Sequence, residues 1–370
     1  MTEEVATAQV WLGGQDFALQ EFDLPQLGPG ELLVRIDAAT VCGSDRHTVS
    51  GRRPEPHPSI LGHEGVGHVV GAGPDQLAVR GEDIGVGARV VWSVIAACAQ
   101  GEQAQKCPRC ARGLSAKCEH VLKTGHEPVD GPWALSGTYA THIVIRAGQK
   151  VVDVPPSVTD EVAATAECAI ATAMAAKERQ ELLVPHASSI LVSGAGMLGL
   201  AAVIACCRAG ADGLVIAEPD PQRRQVAADV ARRLGCQQVE QVASADEVAD
   251  PVEATYDFSG VPAAVSGCVE ARDIGGVAVL AGSVRPTAAV PVVPEAVVPG
   301  WKTITGVHNY EPHHLEQAVE LLEYAAGSVP WEKVITGPVS LNDLPRAFQP
   351  AGHPGGLPEG QTGLRVAVRP

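Results

Sequence analysis

The sequence predicts an α/β protein with two domains, one rich in β-structure and the other a doubly wound parallel sheet. Its 370 residues exceed the roughly 250–300 residues over which one hydrophobic core usually extends. Up to about residue 158 the chain is dense in glycine, proline and short β-type runs; beyond it, alanine-rich helical stretches alternate with short apolar strands. A glycine-rich turn at residues 193–199 joins one such strand to a helix, as is typical of doubly wound sheets.

The first domain is placed at residues 1–158. Its clearest strands are predicted at residues 32–36, 67–70 and 89–92, where branched and aromatic side chains cluster between glycine and proline. Helical periodicity is almost absent from this part of the chain, which therefore indicates a β-rich domain.

The second domain is placed at residues 159–304. Its strand-like runs are short and continuously apolar, as expected for parallel strands that are buried on both faces. They lie at residues 190–193, 214–218, 256–259 and 277–281, with helices that start at Gly196, Pro221 and Pro262. This alternation of strand and helix predicts a doubly wound sheet.

The last segment, residues 305–370, is expected to return to the first domain. Around it we predict a strand at 303–307, an amphipathic helix at 313–326 and a final strand at 365–368. Residues 350–363 are rich in glycine and proline, which predicts a loop.

Composition narrows the class of protein. A formal net charge of −16 repels nucleic-acid backbones, so nucleic acid is not expected as a partner. The absence of a long apolar run and of a basic N-terminal signal region indicates a cytoplasmic protein without a membrane partner. Ten cysteines in that setting point to metal or redox chemistry rather than to disulfides.

The turn that follows the strand at 190–193 carries a dinucleotide-binding pattern. Gly194, Gly196 and Gly199 have the spacing G-x-G-x-x-G, with Leu198 inside the motif. These glycines permit a tight turn, close approach of a pyrophosphate to the helix N-terminus, and close packing of helix on strand. The alternative is an ordinary strand-to-helix turn that binds no ligand.

An acidic residue stands where the cofactor ribose is expected. Glu218 lies about 20 residues beyond the glycines, at the end of the next strand, where a carboxylate can accept hydrogen bonds from ribose hydroxyls. A 2′-phosphate would be repelled there, which favours NAD over NADP. Arg223 and Arg224 leave NADP open, because a nearby guanidinium can accommodate that phosphate.

Four cysteines fall within residues 98–118. Cys107, Cys110 and Cys118 have the spacing C-x2-C-x7-C, and Cys98 precedes them. Four thiolates in one loop suit a closed tetrahedral zinc site, whose role is structural because no coordination position remains for a substrate. A redox C-x-x-C pair and a lobe without metal are the alternatives.

A second metal site is indicated by Cys42 and His63, which lie about twenty residues apart in the loop-rich half. A catalytic zinc needs three protein ligands and one open position. Glu167 and Cys168 are adjacent candidates for the third ligand, and we choose Cys168. Glu64 is assigned to the same site, either as an alternating ligand or as an acid behind the metal.

Zinc at this position would lower the pKa of an alcohol hydroxyl, so that hydride can leave from the carbon. The hydroxyl of Ser44 followed by the imidazole of His47 offers a path for the proton to solvent. Asp45 is a candidate to orient the His63 ring.

With these motifs in this order, the chain resembles the zinc-containing alcohol dehydrogenases of the medium-chain dehydrogenase/reductase superfamily. The resemblance covers nearly the whole chain and implies a GroES-like catalytic domain built from both chain ends, a Rossmann domain between them, two zinc ions and a homodimer or homotetramer. Matched residue by residue, it implies these roles: catalytic ligands Cys42, His63 and Cys168; relay Ser44 and His47; lobe ligands Cys98, Cys107, Cys110 and Cys118. One departure concerns Cys98, because eight residues rather than two separate it from Cys107.

Residues 91–98, 112–114, 117–118 and 123–126 are similar to a branch of these enzymes that is associated with phosphonate metabolism. That similarity implies a hydroxyalkylphosphonate substrate, and a dianionic head group would need cations around it. The candidate substrate residues are Arg52, Arg53, Lys123, His126 and Asn309.

The leading hypothesis is therefore an NAD-linked zinc oxidoreductase acting on a small-molecule alcohol. A polyol or amino-alcohol dehydrogenase of the sorbitol or threonine type is the alternative within the same architecture. A non-catalytic NAD(H)-binding sensor is the alternative from another class of protein, although Ser44 and His47 would then have no proton to move.

Overall fold

A computed structural model describes residues 5–75, 84–98, 105–349, 353, 356–357 and 363–370. The chain divides into two compact units. The first comprises residues 1–168, 311–323 and 331–370, and the second comprises residues 169–310 and 324–330. The predicted fold class, a β-rich domain plus a doubly wound parallel sheet, is confirmed.

The first unit is built on strands. Ten of them come early in the chain: β1 Val5–Gly13, β2 Asp16–Asp23, β3 Leu32–Val41, β4 Ser59–Ile60, β5 Gly65–Ala72, β6 Arg89–Trp92, β7 Ile95–Ala96, β8 Leu122–Lys123, β9 His142–Ile145 and β10 Val151–Asp153. Two more, β17 Ile335–Ser340 and β18 Arg365–Arg369, come near the C-terminal end of the chain. Strands β11 to β16 belong to the second unit. The largest sheet has the order β10-β6-β5-β3-β18-β17, and β9 also pairs with β3; smaller sheets are β2-β1-β4 and β7-β8.

Alternation along β3 explains its place at the centre of this sheet. Leu32, Val34 and Ile36 are buried in one apolar cluster with Trp92 and Ile143, as the two-residue period of a strand requires.

The chain's C-terminal strand completes the same sheet. β18 runs antiparallel to β3 with Val366 opposite Val41. The residues at the start of β18 are thereby brought beside the end of β3, which leads into the first metal-site motif.

Most helices of the first unit are short, and Pro312–Ala325 is the exception with 14 residues. They are α1 Gly43–Val49, α2 Pro108–Ala111 and α3 Asp160–Ala163, with α9 Pro312–Ala325 and α10 Trp331–Val334 late in the chain. One-turn 3₁₀ segments occur at Ser115–Lys117 and Leu344–Phe348, and a π-helical turn spans Ala166–Ile170.

The second unit is a six-stranded parallel sheet with the order β13-β12-β11-β14-β15-β16. Its strands are β11 Ser189–Ser193, β12 Gly213–Ala217, β13 Gln238–Val242, β14 Val252–Asp257, β15 Arg272–Leu280 and β16 Thr303–Gly306. Its helices are α4 Ala171–Glu181, α5 Met197–Arg208, α6 Pro221–Arg233, α7 Pro262–Glu270 and α8 Pro294–Val297. Three of them begin at proline, which suits the first helical turn because it lacks an N–H.

The structure corrects several predicted boundaries. The first unit runs ten residues past the predicted 158, to 168, because α3 packs on β3 and β5. The strand predicted to return with the last segment is β16, which instead pairs with β15 in the second unit. Strand β13 was not predicted, because its sequence Gln-Val-Glu-Gln-Val is largely polar on an edge strand. Most of the predicted loop at 350–363 lies outside the described residues.

None of the helices among the described residues is long and apolar enough to cross a bilayer.

Candidate metal centres and cofactor site

Cys42 lies at the junction of β3 and α1. Its backbone N–H donates to the Oδ2 of Asp45 at 3.0 Å, so the carboxylate at the third helical position reaches back to the residue that caps the helix. The side chain of Cys42 is buried, with 5% exposure. The strand end and the helix cap together fix the direction of this thiol.

His63 follows a glycine that the local backbone requires. Gly62 has φ +90, and a Cβ there would overlap the side chains of Thr138 and Tyr139. Only glycine adopts such a conformation without strain. The turn places the His63 imidazole in the interior of the first unit, with 3% exposure.

Cys168 occupies the π-helical turn Ala166–Ile170. Such single-turn insertions widen a helix locally and are frequent at functional sites. The sequence shows no sign of this turn, because its alanine-rich composition fits an ordinary α-helix equally well.

These three residues converge. One ligand atom from each of Cys42, His63 and Cys168 lies within 4.8 Å of the others, and the two sulfurs are 3.8 Å apart. Two thiols and an imidazole form a donor set that zinc prefers, and three ligands leave one position open. The donor chemistry and the mutual distances therefore fit a catalytic zinc.

The charge state of Cys42 suits a ligand. The hydrogen bond with the Cys168 thiol, and after it the positive charge of Arg365, hold the pKa of Cys42 well below its usual value although burial opposes this. A metal ligand must be a thiolate, so the protein favours the ligating form of this side chain.

Two side chains contact the His63 ring on opposite nitrogens. The Oδ1 of Asp45 lies 3.1 Å from Nδ1 in an ion-pair contact, outside the angle of a hydrogen bond. The hydroxyl of Ser44 lies 3.2 Å from Nε2. Asp45 thus stands where it would orient the ring, and Ser44 is next to the nitrogen that remains for a metal.

His47 lies on α1, three residues after Ser44, and is half-buried. Its carbonyl accepts the backbone N–H groups of Arg52 and Arg53 at 2.9 and 3.2 Å. The helix that carries the proposed relay therefore also fixes the start of the next loop.

Glu64 stands behind the three ligands rather than among them. Its Oε2 accepts the hydroxyl of Thr40 at 2.6 Å and the Nε of Arg365 at 2.7 Å, and its Oε1 accepts Nη2 of Arg365 at 2.9 Å. Burial raises the pKa of Glu64 to about 7, against the opposing effect of Arg365. Glu64 is not part of the group formed by Cys42, His63 and Cys168, whose ligand atoms lie within 4.8 Å of one another. The geometry therefore favours Glu64 as an acid behind the metal rather than as a direct ligand.

Arg365 was missed by the sequence analysis. Its Nη2 lies 3.4 Å from the sulfur of Cys42, and it is buried with 6% exposure. Its position depends on the pairing of β18 with β3, for which the sequence gives no local signal.

Glu167, the rejected candidate for the third ligand, is also buried. Its Oε1 accepts the backbone N–H of Gly65 at 3.1 Å, and burial raises its pKa well above the usual value. In this arrangement Glu167 supports the start of β5, while its neighbour Cys168 faces the other two ligands.

The four lobe cysteines also converge, with one sulfur of each within 4.8 Å of the others. The Sγ of Cys118 is 3.6 Å from that of Cys98 and 3.9 Å from that of Cys107. Cys98 therefore joins the cluster despite the longer spacing; residues 99–104 of that spacing are outside the described part of the chain. Four sulfurs at these distances fit a closed zinc site.

The lobe is held by contacts that its sequence did not reveal. Backbone N–H groups from Glu119 and Cys110 lower the pKa of Cys107 to about 6. The carboxylate of Glu311 accepts the backbone N–H groups of Ser115 and Ala116 at 2.9 and 3.1 Å. One late acidic residue thus anchors the turn between Cys110 and Cys118.

The glycine-rich turn lies between β11 and α5 in the second unit. Gly194 has φ +93, and a Cβ on Gly199 would overlap the carbonyl oxygen of Gly194. A Cβ on Gly196, which caps α5, would meet no atom within 4 Å. The first and third glycines are thus required by the turn and by packing, and the second leaves the helix N-terminus accessible to an anion.

Glu218 follows β12 beside this turn. Its Oε2 accepts the backbone N–H of Ala195 at 2.8 Å, and its Oε1 accepts that of Asp220 at 3.1 Å. Arg223 is farther out and pairs with Asp220 at 3.8 Å. The guanidinium of Arg224 donates to the backbone carbonyl of Glu218. The Glu218 carboxylate therefore lies against the glycine-rich turn, with one guanidinium beside the same residue.

Of the predicted substrate residues, three lie together in the first unit. The Nε of Arg53 lies 2.7 Å from Oε1 of Glu55, and Nε2 of His126 lies 3.7 Å from the same oxygen. The ring centroids of His126 and His63 are 5.5 Å apart. Lys123 acts electrostatically on both Arg53 and Glu55. We call Arg53, Glu55, Lys123 and His126 the polar cluster.

Burial shapes the charges of the polar cluster. It lowers the pKa of His126 to about 3, with help from His63 and Arg53, so this ring is neutral near pH 7. Burial, and then repulsion by Arg53, lower the pKa of Lys123. Glu55 supplies negative charge, and Glu127 beside the cluster adds to it; the sequence analysis missed both. Arg52 is exposed and does not join the cluster, and Asn309, with φ +60, belongs to the second unit.

Comparison with known proteins agrees with this architecture. Residues 28–156 match the family described as the alcohol dehydrogenase GroES-like domain, and residues 157–353 match that described as the glucose dehydrogenase C-terminus. Alcohol dehydrogenase B of Mycobacterium tuberculosis is 29% identical over 60% of this chain, and the match spans 59% of that protein. L-threonine 3-dehydrogenase of Pyrococcus abyssi is 30% identical over 67% of each chain. The crystal structure of an alcohol dehydrogenase from Thermotoga maritima superposes with a TM-score of 0.82, at 25% identity and 99% coverage of both chains.

Proposed function

Because this chain belongs to the zinc-type alcohol dehydrogenase family of the medium-chain dehydrogenases/reductases, we propose that it oxidises an alcohol to an aldehyde or ketone, with zinc in the first unit and NAD as hydride acceptor. The observation that carries the proposal is the convergence of Cys42, His63 and Cys168 within 4.8 Å. Three ligands leave one coordination position for an alcohol, whereas the four cysteines of the lobe fill every position of a tetrahedral site.

Each residue of this site has a task. Cys42, His63 and Cys168 would hold the zinc, whose Lewis acidity lowers the pKa of an alcohol hydroxyl toward neutrality. Ser44 accepts the hydroxyl proton and at the same time releases its own toward His47; its Oγ lies 3.2 Å from Nε2 of His63, the nitrogen left for the metal. His47, one helical turn further along α1 and half-buried, passes the proton to solvent. Glu64 and Arg365 form a buried ion pair behind Cys42 and keep that side of the site electrically balanced.

The cofactor proposal rests on the second unit. An accessible helix N-terminus at Gly196 suits a pyrophosphate, and the carboxylate of Glu218 lies against the same turn at 2.8 Å from the Ala195 nitrogen. A 2′-phosphate would approach this carboxylate and be repelled, which supports NAD over NADP.

The proposed reaction is tested by NADH formation on a panel of alcohols with the zinc-loaded protein. We expect turnover with NAD that exceeds turnover with NADP, and a loss of roughly 10²-fold in kcat for Ser44→Ala, because a proton-transfer group is worth about 10²–10⁴. NADH binding, measured by its fluorescence, should be unchanged in that variant.

If no alcohol or aldehyde reacts, the dehydrogenase proposal fails and the NAD(H)-binding sensor takes its place. If Ser44→Ala has the same kcat as the unaltered protein, the proposed reaction is still supported but the role of Ser44 in proton transfer is wrong.

For the substrate we propose an alcohol with an anionic head group, with a hydroxyalkylphosphonate as the first candidate. The polar cluster supports this, because Lys123 is a half-buried cation whose pKa is lowered by burial and by Arg53. An anion bound there would relieve both effects. A polyol or amino alcohol is the second candidate, and Glu55 favours it because a carboxylate within the cluster can pair with an ammonium group.

Lys123→Met should separate these substrates. We expect KM for 2-hydroxyethylphosphonate to rise about 10–100-fold, the effect of losing one charge-assisted hydrogen bond, while KM for a neutral alcohol of similar size changes little. Arg52→Ala is the matched control, since it removes a positive charge from an exposed side chain one residue from the cluster. Equal losses on charged and neutral alcohols would contradict the head-group role of Lys123.

We also propose that the protein is a homodimer or homotetramer. The second unit exposes several large apolar side chains within residues 274–301, among them Ile274 at 78%, Val298 at 71% and Trp301 at 83%. Apolar side chains that cluster on a surface usually mark a contact between proteins.

A further inference from the structure

We infer that Tyr139 is a positioning residue for the metal centre: its hydroxyl fixes the Asp45 carboxylate, which in turn fixes both Cys42 and His63. The inference goes beyond the proposed function, which assigns no role to Tyr139 or to its hydrogen bond with Asp45. It concerns how tightly this chain's own residues would hold zinc, and it can be measured without turnover.

The Asp45 carboxylate contacts the two ligands in different ways. Its Oδ2 accepts the backbone N–H of Cys42 at 3.0 Å, and its Oδ1 lies 3.1 Å from the Nδ1 of His63. Rotation of this carboxylate would therefore disturb the start of α1 and the His63 ring together. Asp45 is 3% exposed, so water cannot readily replace a lost partner.

Tyr139 supplies the contact that prevents this rotation. Its hydroxyl donates to Oδ2 of Asp45 at 2.8 Å, so that oxygen receives two hydrogen bonds from different directions. Burial, and then the Asp45 charge, raise the pKa of Tyr139 well above its usual value. The phenol accordingly stays protonated and remains a donor throughout the working range of pH.

The ring of Tyr139 is itself held rigidly. The backbone N–H of Tyr139 donates to the carbonyl of Leu61 at 3.2 Å, and its ring packs against Gly62, where a Cβ would overlap it. The side chain is fully buried and stacks edge-on with Phe348 at a centroid distance of 6.2 Å. Tyr139 thus touches the chain just before His63 as well as the acid behind it.

A rigid donor that locks the orienting acid should slow the loss of metal. Groups that orient metal ligands typically change metal affinity about 10–100-fold when removed. Tyr139 acts one contact further out, so we expect a smaller effect, of roughly 3–30-fold on the rate of zinc release.

The experiment uses the zinc-loaded full chain and a coloured chelator that reports zinc release. Tyr139→Phe keeps the ring and removes only the hydroxyl. We expect the zinc at Cys42, His63 and Cys168 to leave about 3–30-fold faster, and the zinc of the four-cysteine lobe to leave at its original rate. The cobalt-substituted protein should also show a shifted thiolate charge-transfer band.

Tyr256→Phe is the matched control. The hydroxyl of Tyr256 is buried in the second unit and donates to Oε1 of Gln180 at 3.0 Å. This variant therefore loses a comparable hydrogen bond in the unit that does not carry the three proposed ligands. Both variants should melt at similar temperatures, and only Tyr139→Phe should release zinc faster. Equal release rates in the two variants would show that Tyr139 has a merely structural role.

Asp45→Asn with and without Tyr139→Phe gives a second, independent test. If Tyr139 works through Asp45, the double variant releases zinc no faster than Asp45→Asn alone. The inference is wrong if the two substitutions accelerate zinc release independently, so that their separate factors multiply in the double variant. It is also wrong if Asp45→Asn and the double variant both release zinc at the rate of the unaltered protein. Absence of any tightly bound zinc at this site in the unaltered chain would instead count against the proposed function.

Discussion

Cys168→Ala is expected to reduce the zinc content from two ions per chain to one and to lower kcat/KM by at least about 10³-fold. Two ligands cannot hold zinc in place of three. The Lewis acidity thereby lost is worth several kcal/mol in the transition state, and about 4 kcal/mol corresponds to roughly 10³ in rate. Zinc content by elemental analysis and NADH formation on the best alcohol measure the two effects.

Two controls make this prediction specific. Glu167→Gln keeps the size of the adjacent side chain and should retain both zinc ions, since the Oε1 of Glu167 contacts the backbone of Gly65. Cys236→Ala removes a buried thiol of the second unit and should leave metal content and activity unchanged. Retention of two zinc ions by Cys168→Ala, with loss of one by Glu167→Gln, would reassign the third ligand to Glu167.

Cys110→Ser is expected to remove the lobe zinc and to destabilise the protein. A structural zinc contributes to folding free energy directly. A loss of at least about 3 kcal/mol corresponds to a fall in Tm of roughly 6–12 °C for a unit of this size. Calorimetry together with zinc analysis measures both quantities, and alcohol turnover below the new Tm should be largely retained.

The same measurement on Cys98→Ser tests the ligand with unusual spacing. The Sγ of Cys98 lies 3.6 Å from that of Cys118, so this variant should lose zinc and stability as Cys110→Ser does. If Cys98→Ser keeps the second zinc and its Tm, the lobe is held by three cysteines and another ligand.

Much of the candidate site is encoded locally and could be predicted. Cys42 and His63 stand in short motifs within one half of the chain, and the glycines at 194, 196 and 199 form a turn whose conformation they alone permit. Adjacent residues nevertheless have different fates, because Arg52 is exposed whereas Arg53 pairs with Glu55 at 2.7 Å. The conformation of the turn after α1 determines which of the two arginines faces Glu55. A turn has no repeating pattern of side chains, so the sequence does not predict this orientation.

By itself, the sequence determined the fold class, the glycine-rich turn and the side chains proposed as metal ligands, because motif spacing and strand periodicity are properties of neighbouring residues. Only the tertiary structure decided which groups surround those ligands. Arg365 reaches Glu64 across 301 positions of the chain and Tyr139 reaches Asp45 across 94. Such contacts depend on how distant strands pair, and the pairing is set by the packing of the whole sheet rather than by any one segment.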